Sequence, residues 1–431
     1  MRETSPEERD LLERAARLLP GGTLGNIRLP DAQQFLVREG RGSHFTDVSG
    51  REYIDWLMGS GPMALGHAYP AVVEAVQEAG SRGSHFFTTN ELAVELAEVI
   101  VNAMPCAEKL RYTTSGTDAI FQCLRAARVF RHRDKVVKFE GGFHGTSDYA
   151  MMSVTTPPGS DPSVRPVSNS GGIPDAIEDL VLMAPFNDLE STTRIIEEHH
   201  DEIAAVVIEP LQRVIAPRPG FLAGLREVTA KHGVLLVFDE VVTGFRLAYG
   251  GAQERYDVVP DLAAIGKIVA GGYPLGAAVG RADVFECYDQ KLAAPGDFVG
   301  QVGTLNGNPV ACAAGLATLA EMRKDGAYDR LRAIGGKLRS EIERVLRDGD
   351  VAFRTCGDDT VFDVVFTDRD VISYPDTRDA DNDKLERFNT GLLEQGIIKG
   401  WPIKFYPSLV HTDEDIGRTV EAVEALVPQL R

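Results

Sequence analysis

The 431-residue sequence has only five cysteines, Cys106, Cys123, Cys287, Cys312 and Cys356, and none of them forms a C-x-x-C pair. An odd, scattered set argues against a disulfide frame or a cysteine zinc site and for reduced thiols in a cytoplasmic protein. Cys123 and Cys312 stand in apolar helical stretches and read as core fillers. No run of about 18 apolar residues occurs, so no membrane span is expected. The opening MRETSPEERDLLERAARLLPGG reads as a charged amphipathic helix and lacks the apolar stretch of a signal peptide. Basic residues are in deficit, 45 against 64 acidic, giving a net charge of −19. Such a surface repels phosphate backbones and argues against a nucleic-acid partner, while one pocket can still be locally positive for an anionic substrate. Part of the acidic excess lies between Asp358 and Glu386, a stretch that reads as a solvated face or loop.

The common nucleotide and metal motifs are missing as well. No G-x-G-x-x-G follows a strand. Gly266-Lys267 is not a Walker A, because position 261 is Asp and position 268 is Ile. No H-E-x-x-H is present, and His199-His200 lie in an acidic helix end, EEHHDE. Dinucleotide hydride transfer, P-loop chemistry and zinc hydrolysis lose their support, and no metal site is expected.

What is present is alternation. Apolar runs at Leu110–Thr113, Val136–Phe139, Leu180–Met183, Ala204–Ile208, Val234–Phe238 and Leu262–Ile265 interleave with helical patterns such as Thr117–Phe130, Leu189–His199 and Ala223–His232. This predicts an α/β fold with βαβ crossovers and a mainly parallel sheet carrying helices on both faces. A single core stops growing near ~250–300 residues, so a second, smaller unit is expected. Phe35 to Trp56 reads as an antiparallel meander turning at Ser49-Gly50. After Asn308 a long helix, a second helix to Arg347, strands at Val351–Arg354 and Val361–Phe366 and a last helix from about Thr412 suggest a smaller α+β domain. The expected division is residues 1–60 joining the small domain, 61–305 as the large domain and 306–431 as the small one. Thr155 to Pro174, rich in Pro, Gly, Ser and Asn, reads as a long loop.

Four features fit one kind of cofactor. Ser115-Gly116-Thr117 lie between a strand and a helix, where backbone N–H groups and the helix dipole favour a phosphate; alone, S-G-T-D is equally an N-cap. Asp239 closes the strand VLLVFD, at the strand end where ligand-contacting groups of open α/β sheets collect. It can hold a pyridinium nitrogen protonated, though alone it is as readily a turn cap. Lys267 follows another apolar strand and precedes Gly271-Gly272, so its ammonium can be desolvated towards a usable amine. It comes 28 positions after Asp239, which sets both at the same sheet edge. Phe143 and His144, flanked by glycines in FEGGFHG, present rings at a loop, and Phe143 can stack on a flat ligand.

With these residues in hand, the chain resembles the class III (ω-type) aminotransferases of pyridoxal-phosphate (PLP) fold type I, closest to the glutamate-1-semialdehyde 2,1-aminomutase branch. The resemblance runs through LPGG near residue 20, GREYIDW, GHAYP, TSGTDA, KFEGGFHG, APFND, VVIEP, VFDEVVTGFR, PDLAAIGK, GGYPLGA, GTLNGNP and HTDEDI. It implies that Lys267 is the Schiff-base lysine and proton shuttle, with Asp239 on the pyridinium. Val241 and Phe143 would take opposite ring faces, and Ser115, Gly116 and Thr117 the phosphate. Glu209 resembles the acid under the cofactor, and Gln212 approaches the ring hydroxyl. Thr304 resembles a residue that reaches the phosphate of a neighbouring subunit, which implies a homodimer with shared sites. The Thr155–Pro174 stretch falls where the branch has a gating loop.

Two positions depart from the aminomutase pattern. Ser60 stands where that branch has a tryptophan, and Ile403 where it has a substrate-binding glutamate. Arg28 matches its carboxylate-binding arginine, and Arg213 and Lys404 are further cations that can receive a substrate carboxylate. The expectation is therefore an intermolecular aminotransferase, passing an amino group from a small donor to a carbonyl acceptor. An aminomutase or a racemase on the same fold is the alternative, and a catalytically idle binding protein is countered by the intact lysine, aspartate and phosphate turn.

Overall fold

The computed structural model describes residues 3–26, 29–159, 165–399 and 404–431. Thirteen strands occur among them. In chain order, β1 (Val37–Arg41), β2 (His44–Asp47) and β3 (Glu52–Asp55) come first. There follow β4 (Lys109–Thr113), β5 (Lys135–Phe139), β6 (Val181–Ala184), β7 (Ile203–Ile208), β8 (Leu235–Glu240), β9 (Leu262–Ile265) and β10 (Gly276–Gly280). The last are β11 (Arg354–Asp358), β12 (Val361–Val365) and β13 (Ile397–Ile398).

Two compact units result. The larger comprises Ala71–Asp325 with Val371–Asp379. Its seven-stranded sheet has the order β4-β10-β9-β8-β7-β5-β6. The pairs β6-β5, β5-β7, β7-β8 and β8-β9 are parallel, while β10 runs antiparallel to both neighbours. Every residue of β7, β8 and β9 is buried, as expected for Val/Leu/Ala-rich strands covered on both faces. Helix Gly116–Arg131 sends Ala119, Ile120, Cys123 and Leu124 into the core below the sheet. The second unit comprises Met1–Pro70, Gly326–Asp370 and Ala380–Arg431. Its β1-β2-β3-β13 sheet pairs the N-terminal meander with a strand from the C-terminal third. Trp56 lies fully buried there, stacked on His411 at 3.7 Å. Among the described residues no helix is long and apolar enough to cross a membrane.

Several expectations need correction. The large unit extends to Asp325 rather than 305, because helix Pro309–Met322 packs within it. A Cβ on its Gly315 would sit 2.4 Å from the Val269 oxygen, and Leu96 is also in contact. Val371–Asp379 returns to this unit, where Asn187 Nδ2 donates to the Ile372 carbonyl at 2.8 Å. The strand expected at Val351–Arg354 begins only at Arg354, and Val351 is a buried core residue instead. The acidic stretch from Asp358 is not simply a solvated face: Asp363 is buried in β12 and ion-paired with buried Lys399 at 2.5 Å. Thr155–Pro174 is tied at its described ends, where Asn169 Oδ1 accepts from the Val154 N–H at 2.7 Å and the Ser153 N–H donates to the Val167 carbonyl. Residues 160–164 of that loop lie outside the described residues.

One buried cation shapes the loop that follows β5. Lys138 points inward at 1% exposure. Its ammonium donates to the carbonyls of Gly142 (3.2 Å), Ala150 (2.8 Å) and Met152. Burial pushes its pKa down to about 7, while three carbonyl acceptors favour the protonated amine, which alone has three N–H groups to give. Lys138→Met should leave three buried carbonyls without their donor, costing on the order of 3 kcal/mol. A urea unfolding curve of the variant checks this.

A second expectation concerns pH. His44 Nε2 lies 2.6 Å from Asp415 Oδ1, and that hydrogen bond raises the His44 pKa above 6.5. Burial pushes Asp415 up, but hydrogen bonds from His44, the Thr412 N–H and Ser43 win and hold it well below the usual range. A raised histidine contributes stability that is full below pH 6.5 and lost as pH rises through the folded value. His44→Gln should therefore cost on the order of 1 kcal/mol near about pH 5.5 and clearly less near about pH 9, read from unfolding curves at the two pH values.

Candidate active site

The sheet register gathers the sequence-marked residues at one edge. Asp239 pairs with Ala264 across β8 and β9, and Ile265 with Ala277 of β10, whose neighbour Gly276 faces Thr113 at the end of β4. The carboxyl ends of β4, β5, β7, β8 and β9 therefore share that edge, the place where open α/β sheets bind ligands.

Asp239 is 5% exposed. His144 Nδ1 donates to its Oδ2 at 2.8 Å, and the Val241 N–H donates to its Oδ1 at 3.1 Å. With Nδ1 carrying the proton, His144 Nε2 is a buried acceptor, and it has no partner. Phe143 stands beside it, with its N–H donating to Glu209 Oε2 at 3.0 Å. Gln212 is buried, its Nε2 giving to the Glu140 carbonyl at 2.7 Å while Oε1 is left unpartnered.

The Ser115 hydroxyl caps helix Gly116–Arg131 by accepting from the Asp118 N–H at 3.1 Å. The first N–H groups of that helix, on Gly116 and Thr117, have no partner within it and point outward at its positive end. Glycine is required at 116, because a Cβ there would lie 2.7 Å from Val241. It is required again at 145 (φ +89°), where a Cβ would lie 2.3 Å from Thr117 Oγ1. These two close approaches join the phosphate-type turn to Val241 on one side and to the Phe143-His144 loop on the other.

Lys267 follows β9 with φ +52°, a left-handed conformation uncommon outside glycine. Burial lowers its pKa against the pull of Asp239 and Glu209, and Arg213 and Arg246 lower it further. A lysine held this way has a larger share of free amine near neutrality, as a nucleophile or proton carrier needs. The edge thus offers a lowered amine, a fixed carboxylate, an anion-binding helix start, an exposed ring at Phe143 and two unpartnered buried acceptors.

Other expected residues lie elsewhere. Thr304 is exposed in the loop before helix Pro309–Met322. Ser60 belongs to the second unit, in a tight turn with φ +69°, and Lys404 is buried in that unit. Arg28 and Ile403 lie outside the described residues. Sequence reasoning did not single out Lys138, although a lysine inside the apolar run KVVKF was the available signal. It also passed over Tyr374 and Arg378, which return to this unit from the C-terminal third. The Tyr374 ring lies against Gly141, and Arg378 Nη1 donates to Thr156 at 3.2 Å.

The Aminotransferase class-III family profile matches residues 29–427. A glutamate-1-semialdehyde 2,1-aminomutase from Methanothermobacter thermautotrophicus is 40% identical over 98% of this chain and 99% of its own length. Three further relatives at 38–39% identity carry the same enzyme name. Among solved structures, an omega-transaminase from Sphaerobacter thermophilus superposes with a TM-score of 0.93 at 33% identity, covering 100% of this chain and 99% of that one. A transaminase with PLP bound gives 0.89 at 28% identity over the same shares. The sheet with its covering helices is the PLP fold type I that the motifs implied. The chain belongs to the class III aminotransferases.

Proposed function

We propose that this chain uses pyridoxal 5′-phosphate to move an amino group on a small carboxylated substrate, and that the reaction is a 2,1-aminomutation of the glutamate-1-semialdehyde type. The meeting of Asp239, Lys267 and the Ser115–Thr117 helix start at one sheet edge carries the reading. The names of the curated relatives weigh toward this rearrangement and against the intermolecular transfer expected from the sequence.

The residues present suit the cofactor. The Gly116 and Thr117 N–H groups and the Ser115 and Thr117 hydroxyls suit a phosphate dianion. Asp239, held by His144 and Val241, suits a protonated ring nitrogen. Val241 and Phe143 suit the two ring faces, and the unpartnered Gln212 Oε1 suits a ring hydroxyl as donor, with Glu209 alongside. Bound there, the cofactor supplies an electron sink for ionising a bond at the amino-bearing carbon. Lys267 would take and return a proton at the substrate carbon, its lowered pKa suiting both directions. Thr304, exposed on its loop, serves the phosphate of a second copy, so the working unit is a homodimer with shared sites.

A second reading, transfer between two substrates, is favoured by Ser60 and Ile403 standing where the aminomutase branch has tryptophan and glutamate. The high structural similarity to an omega-transaminase supports it too.

Two measurements test these readings. Purified protein mixed with pyridoxal 5′-phosphate should develop a visible absorption band that Lys267→Ala fails to form; no uptake by the wild type would sink the cofactor role. Glutamate 1-semialdehyde supplied alone should convert to its 5-amino-4-oxo isomer with no second substrate. Amino transfer only when a keto acid or aldehyde is added would replace the first reading by the second.

A further inference from the structure

The turn after β7 holds a cation that the cofactor roles above do not use, Arg213, which the sequence marked only as one of several candidate partners for a carboxylate. Gln212 and Ile215 bridge it with two backbone hydrogen bonds, Gln212 N–H to Ile215 (3.1 Å) and Ile215 N–H to Gln212 (2.7 Å). Arg213, the first residue between them, takes φ +58°, in the left-handed region where a side chain is strained and glycine would be at ease. Strain of this kind concentrates at functional sites, where surrounding structure over-determines it. Here the surroundings are Gln212, buried and hydrogen-bonded to Glu140, and the flanking core residues Leu211 and Ile215.

The Arg213 guanidinium lies over the Phe143 ring, 5.3 Å from its centroid. Phe143 is 38% exposed and is anchored by its N–H to Glu209, one residue from the His144 that grips Asp239. The cation thus lies over a ring that borders the site. Its charge also reaches inward, lowering Lys267 and Lys138. Arg213 is exposed, and among the described residues it has no carboxylate partner. In a chain of net charge −19, whose exposed arginines include many ion-paired ones such as Arg38 and Arg165, a guanidinium without a carboxylate partner over a ring of the site stands apart.

We propose that Arg213 is a specificity-determining residue that receives the carboxylate of the substrate, selecting anionic amino compounds over uncharged ones at this site. The proposal deepens the function above and rests on it for the identity of the site. The planar guanidinium offers paired N–H donors to a carboxylate, and its stacking on Phe143 pre-orients that fork.

The test titrates non-reacting probes into the PLP-loaded enzyme by calorimetry, so turnover is not required. Glutarate carries the charge, and glutaramide has the same shape without it. The wild type should prefer glutarate, and Arg213→Met, which keeps bulk against Phe143, should weaken glutarate about 10- to 100-fold while moving glutaramide far less. Arg213→Lys should recover part of the preference. Equal losses for both probes would mean that Arg213 only props the Phe143 ring, and no glutarate binding by the wild type would equally overturn the proposal. An enzyme that binds glutarate through Arg213 yet converts no amino substrate would instead overturn the reaction proposed above.

Discussion

A carboxylate that is 5% exposed at the end of a parallel strand has to be hydrogen-bonded, and meeting that demand at Asp239 organises the site edge. Its partners come from two directions. Val241 belongs to its own turn, while His144 is brought from the loop after β5. Holding His144 there requires that loop to keep one shape over a dozen residues, and Lys138 supplies the constraint from beneath by binding the carbonyls of Gly142, Ala150 and Met152. The same shape lets Gly145 touch Thr117 and so reach the helix start at Gly116. One buried cation below the loop and one buried anion beside it fix elements that the chain places more than a hundred residues apart.

The sheet was legible in the sequence because strands buried on both faces have nowhere to hide their composition. All six expected runs became strands within a residue or two of their limits, and helix Leu189–His199 matched its expected bounds. The antiparallel course of β10 was not legible: an apolar run shows burial, whereas direction is set by the short connection through Lys267–Ala270 and Gly271. The unit boundary was missed because helix Pro309–Met322 is apolar all round and reads the same in either unit. Its small residues decide the matter, since Gly315 allows the backbone at Val269 to approach. Arg213 was legible only as one candidate cation among several; its strained backbone, like the return of Tyr374 and Arg378, depends on backbone geometry and long-range contact, to which no local pattern corresponds.

Cofactor and reaction are separable for a physical reason. Holding a flat, phosphorylated ring needs a carboxylate, an amine, two apolar faces and a helix start, and these needs are identical for rearrangement and for transfer. Discrimination rests instead on groups that touch the substrate and decide whether the half-reacted species is kept or released. Ser60 departs from the aminomutase pattern in the sequence, and it lies in a turn of the second unit whose neighbours Met58, Gly59 and Gly61 also have positive φ. A hydroxymethyl group in place of a large ring presents less apolar area at that position. Relatives named for one reaction therefore coexist with residues that lean toward the other, while the cofactor-facing set stays common to both.

Electrostatics links these levels. The chain as a whole is strongly acidic, yet burial above all, with smaller help from the charges of Arg213 and Arg246, acts to remove the Lys267 proton, against Asp239 and Glu209, which act to retain it. An exposed arginine without a carboxylate partner shifts the balance toward the free amine, and a substrate anion arriving at that arginine would cancel part of its effect. On that proposal substrate charge and lysine protonation would be coupled: an anion bound at Arg213 would raise the lysine's affinity for a proton just when one must be taken from the substrate carbon. The cation that selects the substrate would by the same field prepare the base that acts on it.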